Sequence, residues 1–154
     1  MPRRRLVYAE GDWFGVPLAD GRWAVGRVAR MHRTGKILFA YCFGPYRDLP
    51  DLPELDQLHP SRAVLIRKVG DIGLQEGRWP ILGRGTWVRD DWPLVPLRNV
   101  DPILGRVRRV EYAEGDLLTS VWRVVDDPMT DAPADGLDGH LALEIRLSKL
   151  LAAS

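Results

Sequence analysis

Residues 11–28 read GDWFGVPLADGRWAVGRV, two apolar runs folded about one Asp20-Gly21 pair. An Asp-Gly pair between such runs is a strong short-range hairpin signal, because a two-residue type I′ turn needs φ > 0 at both central positions. A turn centred there pairs Leu18 with Trp23, Val16 with Val25 and Phe14 with Arg27 on one face. The other face then carries Gly15 opposite Gly26 and Pro17 opposite Ala24. Facing glycines leave room for a close approach, so Gly26→Val is expected to destabilise by overpacking. Pro17 lacks a donor, which places its strand at an edge or a bulge.

The rest of the chain continues in the same idiom. The turn at 33–36 (RTGK) leads into 37–44 (ILFAYCFG), apolar on both faces and read as a central strand that Gly44-Pro45 ends. Further strands are expected over 63–70 (AVLIRKVG), 78–85 (RWPILGRG), 106–112 (RVRRVEY) and 117–125 (LLTSVWRVV), with 71–77 as a connector. Residues 87–97 hold too much proline for a central strand, and 126–140 read as a polar loop. Between strands, 45–61 holds four prolines, four carboxylates (Asp48, Asp51, Glu54, Asp56) and leucines at 49, 52, 55 and 58. Pro53 suits a helix start, so a short helix near 53–58 is expected, its leucines pinning an acidic loop. The tail alternates like a strand yet also carries a helical stripe, Leu143, Leu147, Leu150 and Leu151; its helix formers and Asp138 as N-cap favour a helix. YAEGD occurs at 8–12 and 112–116, but the residues that follow do not match, so no duplication is inferred.

The expected fold is therefore mainly β with minor α. It is a strongly bent antiparallel sheet or a partly open SH3-like barrel, with a short helix after the third strand and a C-terminal helix. The 154 residues suit one domain, a core over 10–97 and an extension over 98–154 packed on it. A 45% hydrophobic content supports a sizeable core.

Composition then narrows function. Twenty-two basic residues meet 21 acidic ones, a net charge of +1, which argues against bulk electrostatic binding of nucleic acid. One cysteine allows no internal disulfide and fits a reducing compartment. The start, MPRRRLVYAEGD, has basic residues without an apolar run behind them and does not read as an export signal. No stretch is long enough to span a bilayer, and a cytoplasmic protein is expected.

No catalytic set emerges. The histidines His32, His59 and His140 are not at metal-ligand spacing and read as surface residues, so no metal or cofactor is expected. Cys42 sits among aromatics, where a buried thiol is inert. Ser61, Ser120 and Ser148 lack a nucleophile-elbow context, and the adjacent pairs Asp90-Asp91 and Asp126-Asp127 read as solvated charge. Trp87 and Trp92 flank VRDD; aromatics beside Arg and Asp suit a protein interface, although packing is their default role. An enzyme is not expected.

The hairpin, followed by the aromatic strand ending CFGP, resembles the immunity protein 26 family of bacterial polymorphic toxin systems. The segment AVLIRKVGDIGLQEGRWPILGRG is similar to that family's second block, whose Gly-x-Trp-x-x-x-Gly falls at Gly77, Trp79 and Gly83. The resemblance covers roughly 10–97. It implies a protein made beside a toxin, a cognate toxin domain as partner, and neutralisation by tight binding in the producing cell. Were the toxin a nuclease, its site would be basic, and an acidic surface would steer association and block the groove. The expected contact residues are Asp48, Asp51, Glu54, Asp56, Trp87, Asp90, Asp91 and Trp92. The alternative is an SH3- or Tudor-like module gripping a cationic peptide or nucleic acid, with Trp13, Trp23 and Tyr41 lining an open pocket.

Overall fold

The computed structural model describes residues 6–154; Arg3, Arg4 and Arg5, part of the segment weighed above as an export signal, lie outside them. In chain order the strands are β1 (Trp13–Pro17), β2 (Trp23–Met31), β3 (Ile37–Tyr46), β4 (Leu65–Gly70), β5 (Ile81–Gly83), β6 (Leu97–Val100), β7 (Val107–Ala113), β8 (Asp116–Val125) and β9 (Leu137–Asp138). The helices are α1 (Leu52–Leu55), α2 (Ile72–Gln75) and α3 (His140–Leu151). One open sheet runs β5-β1-β2-β3-β4-β9 and a second runs β6-β7-β8. Among the described residues every strand–strand pairing is antiparallel except β4 with β9, and an isolated parallel bridge joins Arg98 of β6 to Ala134. The architecture is mainly β, and of the two forms expected it is the open sheet that forms.

The opening hairpin forms, but one residue out of the expected register. Leu18 N–H donates to the Arg22 carbonyl at 2.9 Å and Gly21 N–H to the Leu18 carbonyl at 3.1 Å, closing a three-residue loop. Only Gly21 takes φ > 0 (+87°) there, where a type I′ turn would require Asp20 to do so as well. Asp20 instead holds the Arg22 amide and guanidinium through its carboxylate. Phe14 therefore opposes Gly26, Gly15 opposes Val25, Val16 opposes Ala24 and Trp13 opposes Arg27. The two glycines do not face one another.

The sheet is buried on both faces. Phe14, Val16, Ala24, Val28, Leu38 and Cys42 pack on one side against α3 through Leu143, Leu147 and Leu151, and against Leu74 and Trp79. Trp13, Val25, Phe39, Tyr41 and Phe43 pack on the other against Leu55, Trp92, Leu97, Val110 and Leu117. The second core thus joins the two sheets and puts Leu55 of α1 beneath its acidic loop. In α1, Asp51 caps the helix by accepting from Glu54 N–H at 3.1 Å, and Pro53 occupies the first turn.

Several boundaries differ from those expected. β3 continues through a cis Gly44-Pro45 bond to Tyr46 rather than stopping there. The connector 71–77 contains α2, and Trp79 precedes β5 instead of lying within a strand. The polar loop 126–140 supplies β9, whose Leu137 and Asp138 pair with Lys68 and Val69. Asp138 does not cap α3. The cap is Gly139, and the Asp138 carboxylate is clamped between Arg67 (3.0 Å) and Arg146 (2.6 Å).

Candidate functional site

The acidic loop is pinned as its leucine spacing suggests. Leu55 is fully buried, while Leu49, Leu52 and Leu58 pack partly buried on the same core. Asp48, Asp51, Glu54 and Asp56 are exposed. Their duties differ. Asp51 is the α1 cap, and Asp56 accepts from Thr86 N–H (3.0 Å) and from Thr86 Oγ1 (3.2 Å). Asp48 and Glu54 make no side-chain hydrogen bond or ion pair among the described residues, so their charges face solvent unspent.

Asp56 ties this loop to the segment 84–92, and the two border a cleft of about 320 Å³ lined by Arg27, Asp56, His59, Thr86, Asp91 and Trp92, among others. Beneath it Arg27 is buried, 2% exposed. Its guanidinium carbon lies 4.6 Å from the Trp13 ring centroid and 4.8 Å from those of Trp87 and Trp92. Its N–H groups donate to the carbonyls of Gly11 (3.0 Å), Arg84 (2.7 Å) and Thr86 (2.7 Å). Burial lowers its pKa to about 10, against the attraction of Asp56. The cation therefore works as a clasp: three indoles contribute cation–π attraction, the carbonyls of Arg84 and Thr86 fasten residues 84–86 to the hairpin, and Gly11 supplies the third backbone acceptor.

The expected contact residues divide accordingly. Asp90 and Asp91 are exposed and Trp87 is half-buried, one face over Arg27. Trp92 is 4% exposed and belongs to the core, edge-on to Trp13, Tyr41 and Phe43 at centroid distances of 5.6, 5.3 and 6.0 Å. It cannot reach a partner in this conformation. Its placement follows from backbone bonds on either side: its carbonyl accepts from Arg30 Nη1 (2.9 Å), and the next carbonyl, Pro93, accepts from Tyr41 OH (2.5 Å). Trp13 and Tyr41 are buried likewise, at 0% and 2% exposed, so they line no open aromatic pocket.

Ionic side chains brace the rim. Glu114 accepts from Arg30 and Arg89, and Arg89 also donates to Glu10. Burial works to raise the Glu114 pKa, but hydrogen bonds and charge from Arg30 and Arg89 outweigh it and hold the carboxyl below its ordinary value.

The catalytic candidates have structural duties. His59 is exposed, and its Nδ1 accepts from Ser61 N–H (3.1 Å) to cap a 3-10 turn over Pro60–Arg62. His32, expected at the surface, is 4% exposed, because its Nδ1 accepts from Leu117 N–H (3.1 Å) where the second sheet docks. Cys42 is fully buried, and burial pushes its thiol up to about 12. Ser148 Oγ accepts from Ala19 N–H. Among the described residues no group of three or more His, Cys, Asp or Glu side chains is placed to hold a metal ion. No helix among them is long and apolar enough to cross a membrane.

Arg27 was missed as a site-forming residue. Its opposition to Trp13 depends on the register, and Trp87 and Trp92 reach it across some sixty residues of sequence. The arrangement sets a fixed rim of exposed carboxylates above a braced cation. The family model for immunity protein 26 matches residues 9–109, so the chain belongs to that family. The match runs past residue 97 into β7 and leaves β8, β9 and α3 beyond it. No curated protein and no solved structure matches the chain.

Proposed function

From its membership of the immunity protein 26 family, we propose that this protein binds a cognate toxin domain in the producing cell and neutralises it by occupying its surface, with no turnover of its own. Family membership is the observation that carries the reading. The site geometry supports a contact surface made of the acidic loop and the 84–92 segment. Asp48, Glu54, Asp90 and Asp91 are exposed, while Leu55, Asp56 and Arg27 hold their backbone in place. A loop fixed before binding loses little entropy on association, which favours tight binding. Its negative charge suits a basic toxin surface such as the nucleic-acid groove of a nuclease.

Charge reversal at the exposed carboxylates tests this reading. Reversing Asp51 or Asp56 would disturb a helix cap or the Thr86 clamp, so Asp48→Lys, Glu54→Lys, Asp90→Lys and Asp91→Lys are combined instead. Folding is checked first by circular dichroism and a urea midpoint. Co-expression with the toxin encoded beside the gene should then fail to protect the cell, and the association rate should fall most at low salt. Full protection with unchanged association kinetics removes these loops from the interface.

A further inference from the structure

The second sheet has one face on the core and one face outward. Leu97 opposes Val110, which opposes Trp122, and the first two are buried in the second core. The neighbouring row must therefore point away from the core. That row is Arg98 opposite Arg109 opposite Arg123, three arginines side by side across three strands. Directly opposed residues lie about 4.5–5.5 Å apart at Cβ, and like charges so placed repel. Two of the three have a local partner. Arg98 Nε donates to the Pro128 carbonyl, and Arg109 is paired with Glu111 at 2.7 Å. Arg123 is exposed and has no hydrogen bond or ion pair among the described residues. Valines flank the row: Val100, Val107 and Val125 on one side, and Val121, 75% exposed, on the other. With a net charge of only +1 for the whole chain, this basic row is a local feature.

Arg123 also stands on an open edge. At the other edge of the sheet, Arg98 exchanges backbone bonds with Pro133 and Asp135, both 2.8 Å, which covers β6. Among the described residues β8 pairs only with β7. Its first residues are occupied, Leu117 N–H by His32 and the amides of Leu118 and Thr119 by Asp116. From Ser120 to Val125 the far side of the strand meets no other backbone among the described residues. An uncovered edge of this length offers alternate N–H and C=O groups to another chain.

We propose that residues 120–125 of β8 are a docking edge for an extended acidic segment of a partner protein, which adds a strand to this sheet and sets a carboxylate against Arg123. Charge complementarity selects the occupant. The added strand carries an acidic residue at the position facing Arg123 and apolar residues two places to either side, facing Val121 and Val125. That carboxylate completes the arginine row and relieves its repulsion. A single-stranded nucleic acid suits the surface less well, since stacking needs an aromatic platform and Trp122 lies on the opposite face. This surface is separate from the acidic loop and stands whether or not that loop meets a toxin.

The test uses the full chain and a fluorescein-labelled peptide, Thr-Val-Thr-Glu-Thr-Val-Thr, followed by fluorescence polarisation and by hydrogen exchange. The peptide should bind and protect amides within 120–125. Arg123→Glu should weaken it roughly ten- to a hundredfold, as loss of a charge-assisted bond does, and should create a preference for the peptide with Lys at the centre. Arg123→Gln, a milder change, should lose affinity without that switch. Equal binding of the Glu and Lys peptides, no binding at millimolar peptide, or binding without protection of β8 would overturn the proposal. Preference for an oligothymidylate would assign the row to nucleic acid, and a concentration-dependent dimer lost in Arg123→Glu would assign the edge to a second copy. Either result also refutes it.

Discussion

Replacing Gly26 by alanine should destabilise the fold by about 1–2 kcal/mol, and the reason is a stack of two rings between two glycines. A Cβ at Gly26 would lie 2.4 Å from Phe14 Cζ and 2.8 Å from its Cε2. Carbon atoms rest comfortably about 3.5–4.0 Å apart, so the ring must retreat by about 1 Å. Behind it lies Trp79, nearly parallel at 13° with centroids 5.6 Å apart. Behind Trp79 lies Gly73, where a Cβ would meet Trp79 Cδ2 at 2.4 Å. Both rings are fully buried, and Trp79 Nε1 is held by Glu144 at 3.0 Å. Overpacking of this kind costs about 1–3 kcal/mol, offset by about 0.5–1 kcal/mol from the smaller backbone entropy of alanine. Each kcal/mol shifts Tm by about 2–4 °C in a chain of this length. Urea unfolding gives the value directly, with the slope unchanged. Gly70→Ala, whose new methyl meets nothing closer than 3.8 Å, serves as the control and should be near neutral. Gly73→Ala should behave like Gly26→Ala. In a Phe14→Leu background, which removes the ring, most of the Gly26→Ala cost should vanish. An unchanged midpoint for Gly26→Ala, or a cost that persists without the ring, refutes the reasoning.

Arg27→Lys keeps the charge but cannot serve the carbonyls of Gly11, Arg84 and Thr86 together; it should cost about 2–4 kcal/mol and speed amide exchange over 84–92, and an unchanged midpoint would count against the clasp. Glu144 is subject to burial, which raises its pKa, but the hydrogen bonds from Arg78 and Trp79 outweigh it and leave the folded value below the ordinary 4.5. Its contribution is therefore complete above that ordinary value and is lost as pH falls through the lower folded value; the urea midpoint should drop in that window, and Glu144→Gln should flatten the drop while lowering stability near neutrality. Cys42, buried and pushed up to about 12, should react with a thiol reagent only at the rate of unfolding, so rapid labelling of the native protein would contradict its burial.

Elements whose signal is local were legible in the sequence. Unbroken apolarity marked β3, Pro53 with its acidic neighbours marked α1, and the stripe ending at Leu151 marked α3. The hairpin was legible as a hairpin, but its register hung on whether Asp20 would take φ > 0, and the Asp20–Arg22 bonds decided against it. β6 and β9, at four and two residues, carry no period of their own; β6 exists because β7 folds back onto it, and β9 because β4, some seventy residues earlier, pairs with it. At the candidate site, the outward carboxylates followed from leucine spacing. The burial of Trp92 did not, since it depends on Arg30 and Tyr41 capturing the carbonyls of residues 92 and 93.

The two-sided burial of the main sheet bears on how such a protein can change over generations. Every residue from Ala24 to Arg30 in β2, and from Ile37 to Phe43 in β3, is buried. Neither strand has a solvent-facing row on which substitutions could accumulate harmlessly, because a side chain altered on either face disturbs a packed core. Mutational freedom is displaced to the margins: the acidic loop, the 84–92 segment and the free edge of β8. Substitutions can gather at those margins while the two central strands stay nearly fixed.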